Sequence, residues 1–191
     1  AFYGVPIFTN SEGLHTNAVF GFLNIMFKII DSKQPDYMAV AFDVHQPTFR
    51  HEMFKDYKGT RKPMMEELRE QVPVIKELLQ KMNITTVELP RYEADDVIGT
   101  LSKKGEKAGM EVDVISGDRD LLQLASDHIT ICIPKTKKGQ TTVEEYNTEG
   151  VRKLYKVTPT EFIDVKALMG DSSDNIPGVP GIGEKGATAI I

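Results

Sequence analysis

Apolar positions along the chain follow two rhythms, a helical spacing and short unbroken runs, which take turns. In "AVFGFLNIMFKII" (18–30), Val19, Phe22, Leu23, Met26 and Ile30 fall at helical spacing, which predicts a core helix. "YMAVAFD" (37–43) is a short apolar run ending in an acid and predicts a buried strand. The pattern lapses over "TFRHEMFKDYKGTRKP" (48–63), which is basic and aromatic without a period. Helical spacing resumes through Leu68, Val72, Ile75, Leu79 and Met82, with Pro73 splitting the stretch or opening its second half. "TTVEL" (85–89) predicts a second strand. The helix after "RYEADD" turns Val97, Ile98, Leu101 and Ala108 inward and stops near Gly109. A third strand (111–116), a short helix (120–125) and a fourth strand (129–134) follow, then a polar hairpin turn, "KTKKGQTT" (135–142). "TPTEF" (158–162) is a capping box with Thr158 as N-cap, Pro159 at the first position and Glu161 reciprocating; its helix runs to about Met169 and stops at Gly170.

Strands alternating with helices imply an α/β fold, a mostly parallel central sheet flanked by helices. Such sheets place ligands beyond the carboxyl ends of their strands. Asp43 ends the first strand, Glu93, Asp95 and Asp96 follow the second, and Asp118 and Asp120 follow the third. These acids therefore converge on one rim. Asp171 and Asp174 share a face, and so can join it, if their turn is helical.

Composition narrows the chemistry. With 191 residues, 40% of them hydrophobic, the chain can bury a sizeable core. A single cysteine, Cys132, excludes an internal disulfide framework and a multi-cysteine zinc site, points to a reducing, cytoplasmic setting, and by its place in a strand belongs to the core. The longest apolar stretch is too short to span a bilayer and carries Asn24 and Lys28. His15, His45, His51 and His128 are scattered, as packed or surface side chains would be. Net charge is −5, but setting aside the eight carboxylates named above leaves the rest of the chain at +3. The chain opens at "AFYGVP" and stops at "TAII" inside a helical pattern, which reads as part of something longer.

Each acidic group alone has an ordinary explanation: carboxylates in a helix's first turn gain about 0.3–1 kcal/mol from the dipole. Arg119 can neutralise its neighbours in "SGDRD", and "GDSSDN" is common loop composition. Together they do not. Two carboxylates about 4 Å apart repel by roughly 4 kcal/mol at an effective dielectric near 20. Eight on one rim require cations, or pKa values that rise. The donors are all oxygen, which favours Mg²⁺ or Mn²⁺, and "DRDLLQ" lacks the glycine and third acid of an EF-hand. So many donors suit two ions, and a two-ion site suits hydrolysis at phosphorus.

Two further stretches point to nucleic acid. Arg50, Lys55, Lys58, Arg61 and Lys62 interleave with Phe49, Phe54 and Tyr57, mixing phosphate-neutralising groups with stacking rings; the plain alternative is a solvated charged loop. "GVPGIGEKGA" (178–187) is a glycine-rich turn opening a helix with Lys185, able to bring backbone N–H groups against a phosphate.

"AVAFD", "FRHEMFKDYKGTR", "YEADDVIGTL", "ISGDRDLLQL" and "LMGDSSDNIPGVPGIGEK", in that order, resemble the 5′ nuclease (flap endonuclease-like) family, closest to the 5′→3′ exonuclease domains of bacterial polymerases. The resemblance covers nearly the whole chain. It implies a PIN-like core over 1–169 with a helical arch from 48–82, and the start of a helix-hairpin-helix-like DNA-binding region at 170–191. It also implies hydrolysis at 5′ ends and 5′ flaps in repair and RNA primer removal, leaving a 5′-phosphate and a 3′-hydroxyl. Asp43, Glu93, Asp95 and Asp96 would chiefly hold the first metal, and Asp118, Asp120, Asp171 and Asp174 the second. Lys58 and Arg61 would steer the scissile phosphate, Tyr57 would stack on a terminal base, and Arg50 would contact substrate. Gly181, Gly183 and Lys185 would grip duplex backbone, with K⁺ at that turn. The implied partners are DNA with 5′ ends or flaps and RNA primer–DNA hybrids, bound by a monomer. The family's opening strand, ending in Asp-Gly, is expected before Ala1, the last part of its domain and any polymerase domains after Ile191, and Thr where this chain has Gly186. Two rivals remain. A haloacid-dehalogenase-like phosphatase would share "VDVISGDRD" but needs Thr or Val where Leu122 stands, and a non-catalytic binder of branched DNA would share the basic features.

Overall fold

The computed structural model describes residues 5–137 and 140–191, and they form two units. The first comprises the described parts of Ala1–Phe42, Lys62–Glu88 and Pro134–Thr142; the second comprises Asp43–Arg61, Leu89–Ile133 and Val143–Ile191.

In the first unit α1 (Asn17–Lys33) and α4 (Gln71–Lys81) bury Val19 and Met26 with Ile75 and Leu79, flanked by Phe22, Leu23 and Ile30. Of the positions read from the pattern, Val19, Met26, Ile75 and Leu79 are the buried ones, while Met82 lies past the end of α4 and is exposed. A polar device holds the start of α1. The fully buried Gln71 accepts the N–H groups of Ala18 (2.7 Å) and Val19 (3.2 Å), capping α1 from a helix more than fifty residues away. Between α3 (Glu66–Arg69) and α4 the helix breaks because Pro73 has no N–H to return to the Arg69 carbonyl. Near the start of α4 the missing donor costs no intrahelical bond. β1 (Ala39–Ala41) pairs parallel with β2 (Thr85–Val87), Ala39 opposite Thr85. The strand predicted to be buried is only partly so, with Ala39 exposed, because β2 is its one partner among the described residues.

In the second unit β3 (Val112–Ile115) runs parallel to the start of β4 (Ile129–Lys137); β5 (Gln140–Tyr146) lies next to β4, and both strands are divided between the units. The parallel pairing expected from the alternation is present, in a two-stranded and a three-stranded sheet. Val114, Ile129, Ile131 and Ile133 pack on Leu121 and Leu122 of a 3-10 helix (Arg119–Leu124). Val151 and Tyr155 of α6 (Thr148–Tyr155), Phe162 and Val165 of α7 (Glu161–Met169), and Ala187 of α8 (Glu184–Ile190) complete this core. Cys132 is buried, as expected. Residues 138–139 of the expected hairpin turn lie outside the described residues, and the flanking strands extend further into 135–142 than the pattern suggested.

Two elements depart from the reading. On α5 (Ala94–Lys107), Leu101 and the following Ala108 are exposed, whereas Val97, Ile98, Ser102 and Gly105 face inward. The Ser102 hydroxyl donates to the Ile98 carbonyl (2.7 Å), and a Cβ at Gly105 would lie 3.0 Å from a Val112 methyl. The packed face is built of small residues, which a pattern of large apolar ones does not register. The pattern also gave no sign of α6, whose start is capped by Asn147 accepting the Gly150 N–H (2.9 Å). The capping box of α7 is reciprocal as predicted: Thr158 N–H donates to Glu161 (2.7 Å) and Glu161 N–H to the Thr158 hydroxyl (3.1 Å).

The loop after α7 closes on itself. Asp171 and Ile176 exchange backbone bonds at 2.8 Å, and Val179 N–H donates to the Leu168 carbonyl at 2.7 Å. Gly170 and Gly178 touch so closely that a Cβ on Gly178 would sit 2.3 Å from the Met169 carbonyl carbon. Neither backbone can yield without opening the loop, so Gly178→Ala should cost at least about 3 kcal/mol. Gly181→Ala, at φ 81° with open space around it, should cost only about 1 kcal/mol of left-handed strain. Urea unfolding of both variants checks the order; equal losses would show the contact to be unimportant.

Candidate active site

All eight acids selected from the sequence lie in the second unit, gathered from two helix starts, the segment after β1 and one loop. Asp43 Oδ1 accepts the Ala94 N–H at 2.7 Å, which ties it to the first turn of α5, where Glu93, Asp95 and Asp96 also sit. Asp118 opens the 3-10 helix by accepting the Asp120 N–H at 2.8 Å. Asp171 Oδ1 accepts the N–H groups of Ser173 (2.8 Å) and Asp174 (3.2 Å). The 171–176 turn is a bridged loop, not the helical turn envisaged, and Asp174 reaches the others because that loop folds back.

The electrostatic focus is Asp95. Burial, then Asp118, Asp43 and Glu93 in that order, push its carboxyl up to about 6, with Lys58 opposing them. Acids drawn from three separate segments thus act on one side chain. Burial also raises Asp120 despite its Lys166 partner.

Four basic side chains balance the remaining acids. Arg50 forks onto Asp96 with both bonds at 2.7 Å, and Asp96 Oδ2 also accepts the Glu93 N–H at 2.9 Å. The hydrogen bond from Arg50 is the main cause that holds Asp96 below the usual carboxylate range. Arg50, on α2 (Phe49–Met53), thus braces Asp96 at the start of α5. Lys58 Nζ lies 2.6 Å from Glu93 Oε1, and Arg61 pairs with Asp174. The fourth, Lys166 of α7, bridges Asp120 (2.9 Å) and Asp171 (2.8 Å). Burial alone would raise Asp171, but Lys166 and the Ser173 hydroxyl hold it well below its ordinary value. Sequence reasoning missed Lys166; the available signal was a lone cation in a mostly apolar helix, five residues before Asp171. Arg119, which the plain alternative for "SGDRD" set against its neighbouring acids, donates to the Tyr155 hydroxyl (3.1 Å).

Tyr57, expected to stack on a terminal base, is held inside the rim. It is 5% exposed, and its hydroxyl lies 3.0 Å from both Glu93 Oε2 and Asp174 Oδ2. Burial, then Glu93, drives its pKa far upward, so it remains a neutral donor. Its ring, edge-on to His51, is not free to stack on a base in this conformation. Gly183 caps α8, Gly181 turns the chain at φ 81°, and Lys185 is exposed.

Gly117, Asp118, Asp120, Lys166, Asp171 and Ser172 line an open cleft of about 660 Å³. Among the described residues no three acids converge tightly enough to hold an ion as they stand. The donors nonetheless suit hard cations: they are all carboxylates, and Asp95 sits desolvated among three others.

Known proteins share this framework. The family model described as 5′-3′ exonuclease, N-terminal resolvase-like domain, matches residues 1–156, and that of the 5′-3′ exonuclease C-terminal SAM fold matches 157–191. DNA polymerase I of Bacillus caldotenax is 53% identical over all 191 residues, and the chain spans 22% of that relative's length. A structure of the T5 5′-exonuclease with bound zinc superposes with a TM-score of 0.75 at 27% identity, over 90% of this chain and 65% of that one. The T5 flap endonuclease in a complex with DNA and metal ions gives 0.72 at 27% identity, over 90% and 65%.

Asp95 makes the electrostatic account testable without substrate. Between its ordinary 3.8 and about 6, the folded chain holds this proton more tightly than the unfolded one. The contribution to stability therefore falls as pH rises through that window, and the ionised side chain is a burden above it. At 1.36 kcal/mol per unit, discounted because the group is partly exposed, the burden is about 1 kcal/mol. In buffer free of divalent ions Asp95→Asn should melt roughly 2–4 °C higher than the parent at pH 7.5, with the gain vanishing near pH 4. A variant that melts lower at pH 7.5 would mean that Asp95 is held by partners and not repelled by neighbours.

Proposed function

The chain belongs to the 5′-3′ exonuclease family, and from that premise we propose that it is the part of a DNA polymerase I that hydrolyses phosphodiester bonds at 5′ ends and 5′ flaps. The observation that carries the reading is the crowding of Asp43, Glu93 and Asp118 around the desolvated Asp95, an arrangement that repels itself until cations enter. The matches to DNA polymerase I and to DNA-bound and metal-bound phage nucleases point the same way.

Asp43, Glu93, Asp95 and Asp96 would chiefly hold a first divalent ion, and Asp118, Asp120, Asp171 and Asp174 a second, and Arg50, which here braces Asp96, would contact substrate. Mg²⁺ or Mn²⁺ suits these hard oxygens. Two such ions would supply an activated water and charge stabilisation of the leaving oxygen.

The chain's own groups bind and orient. Lys58 and Arg61, which here neutralise Glu93 and Asp174, would turn to the scissile phosphate when those acids engage ions, so positive charge moves where the substrate's negative charge arrives. Tyr57 would keep Glu93 and Asp174 a fixed distance apart through its hydroxyl. The 178–185 turn, with Gly181, Gly183 and Lys185, would meet duplex backbone, with K⁺ a candidate there. RNA primer–DNA hybrids, action as a monomer and a cytoplasmic setting belong to the same reading; among the described residues no helix is long and apolar enough to cross a membrane.

The test is cleavage of a 5′-flap duplex by this chain with Mg²⁺ and with EDTA. Cutting should need the metal, and Asp118→Ala should slow it on the order of 1,000-fold while flap binding stays within about twofold. Lys58→Ala should lower the single-turnover rate. Tight flap binding without cutting by the parent chain would make it a binder only, and undiminished cutting by Asp118→Ala would remove that residue from the site.

A further inference from the structure

Lys58 carries two unusual features. Its φ is 55°, a left-handed conformation that lysine adopts at a cost of roughly 1–2 kcal/mol, and its side chain reaches the most crowded part of the acidic rim. A strained residue at a reactive position persists only where its surroundings over-determine it. Here the surroundings are a second loop. Lys58 N–H donates to the Asp174 carbonyl at 2.9 Å, and Arg61 Nε donates to the Ser173 carbonyl at 3.1 Å. Asn175 Nδ2 donates to the Asp56 carbonyl at 2.8 Å. That same carbonyl accepts the Gly59 N–H at 2.9 Å, which closes the 56–59 turn with Lys58 inside it.

Asn175 is the one side chain that the second loop contributes to these links, and it is itself left-handed, at φ 57°. The position makes two demands: a residue that tolerates positive φ, and an amide donor short enough to reach a neighbouring carbonyl. Glycine meets the first demand only, glutamine the second only, and aspartate would set an acceptor against an acceptor. Asparagine satisfies both. It follows Asp174 directly, so one short segment supplies an acid to the cleft, a carbonyl to the Lys58 N–H, and an amide to the turn that holds Lys58.

We propose that Asn175 is a positioning residue: by clamping the Asp56 carbonyl it holds Lys58 in its left-handed conformation and so aims the ammonium at the acidic rim where the scissile phosphate is cleaved. The inference rests on the nuclease reading above and adds to it the element that sets the geometry of the phosphate-steering lysine. Asn175 touches neither phosphate nor ion; it acts through Lys58.

The experiment pairs two readouts in the full chain. In single-turnover cleavage of a 5′-flap with Mg²⁺, Asn175→Gly, which keeps the backbone permissive, should lower the rate about tenfold, and Asn175→Asp further, with flap affinity in EDTA unchanged within twofold. In a Lys58→Ala background the same Asn175→Gly change should alter the rate less than twofold. Equal losses in both backgrounds, or no loss in the parent, would overturn the proposal. Amide hydrogen exchange of Lys58, followed by NMR without metal or substrate, should quicken about tenfold in Asn175→Gly while core amides such as Val165 stay unchanged. Unchanged Lys58 exchange would overturn the clamp even if cleavage fell. If the parent chain cuts no flap at all, the nuclease reading fails, and the exchange measurement still decides whether Asn175 holds Lys58.

Discussion

Mutual repulsion among carboxylates is the constraint around which the second unit is organised. Seven of its acids come from three segments more than twenty residues apart, and no local preference of those segments requires them to meet. What brings them together is the packing of α5, the 3-10 helix and α7 on one apolar core through Ile98, Leu121 and Leu122, and Phe162 and Val165. Hydrophobic burial is non-directional and strong enough to bear a few kcal/mol of electrostatic strain at its edge. The strain is then reduced by Arg50, Lys58, Arg61 and Lys166, each drawn from an element that also contacts the rim.

The four cations do not behave alike. Arg50 makes a planar, two-bonded fork to Asp96, a geometry that only a guanidinium provides and that suits a permanent strut. Lys58 and Lys166 are compact point charges on flexible stems, suited to exchange one partner for another. Asp96 and Arg50 therefore brace the start of α5, while Lys58 and Lys166 are placed to respond when a cation or phosphate changes the local charge. Tyr57 belongs with the architecture: one phenolic proton lies between two carboxylates, inside the rim and not above it.

A loop with little secondary structure carries much of this geometry. From Gly170 to Gly178 the chain turns back so tightly that two glycine backbones touch, and Asp171 spends one oxygen on its own loop and the other on Lys166. The same loop supplies the carbonyls that receive Lys58 and Arg61. Rigidity here comes from closed hydrogen bonds and steric contact, which lets a loop hold acids as firmly as a helix does.

By itself the sequence determined the kind of elements, their order and the acids that matter. Apolar periodicity marks α1 and α4, the capping box marks α7, and runs of acid after each strand mark the rim, all properties of neighbours within a turn or a pleat. It was silent or misleading where a residue's partner lies far along the chain. Leu101 looked inward and is not, because Ser102 and Gly105 allow a closer approach on the other face. Arg50, Tyr57 and Asp96, selected as substrate or metal contacts, are held by one another or by Glu93 through links that no local pattern shows. Asn175 carried no local signal, and Lys166 only that of a lone cation in a mostly apolar helix. Which charge answers which, and which side chain is left to act, depends on distances that exist only once the chain has packed.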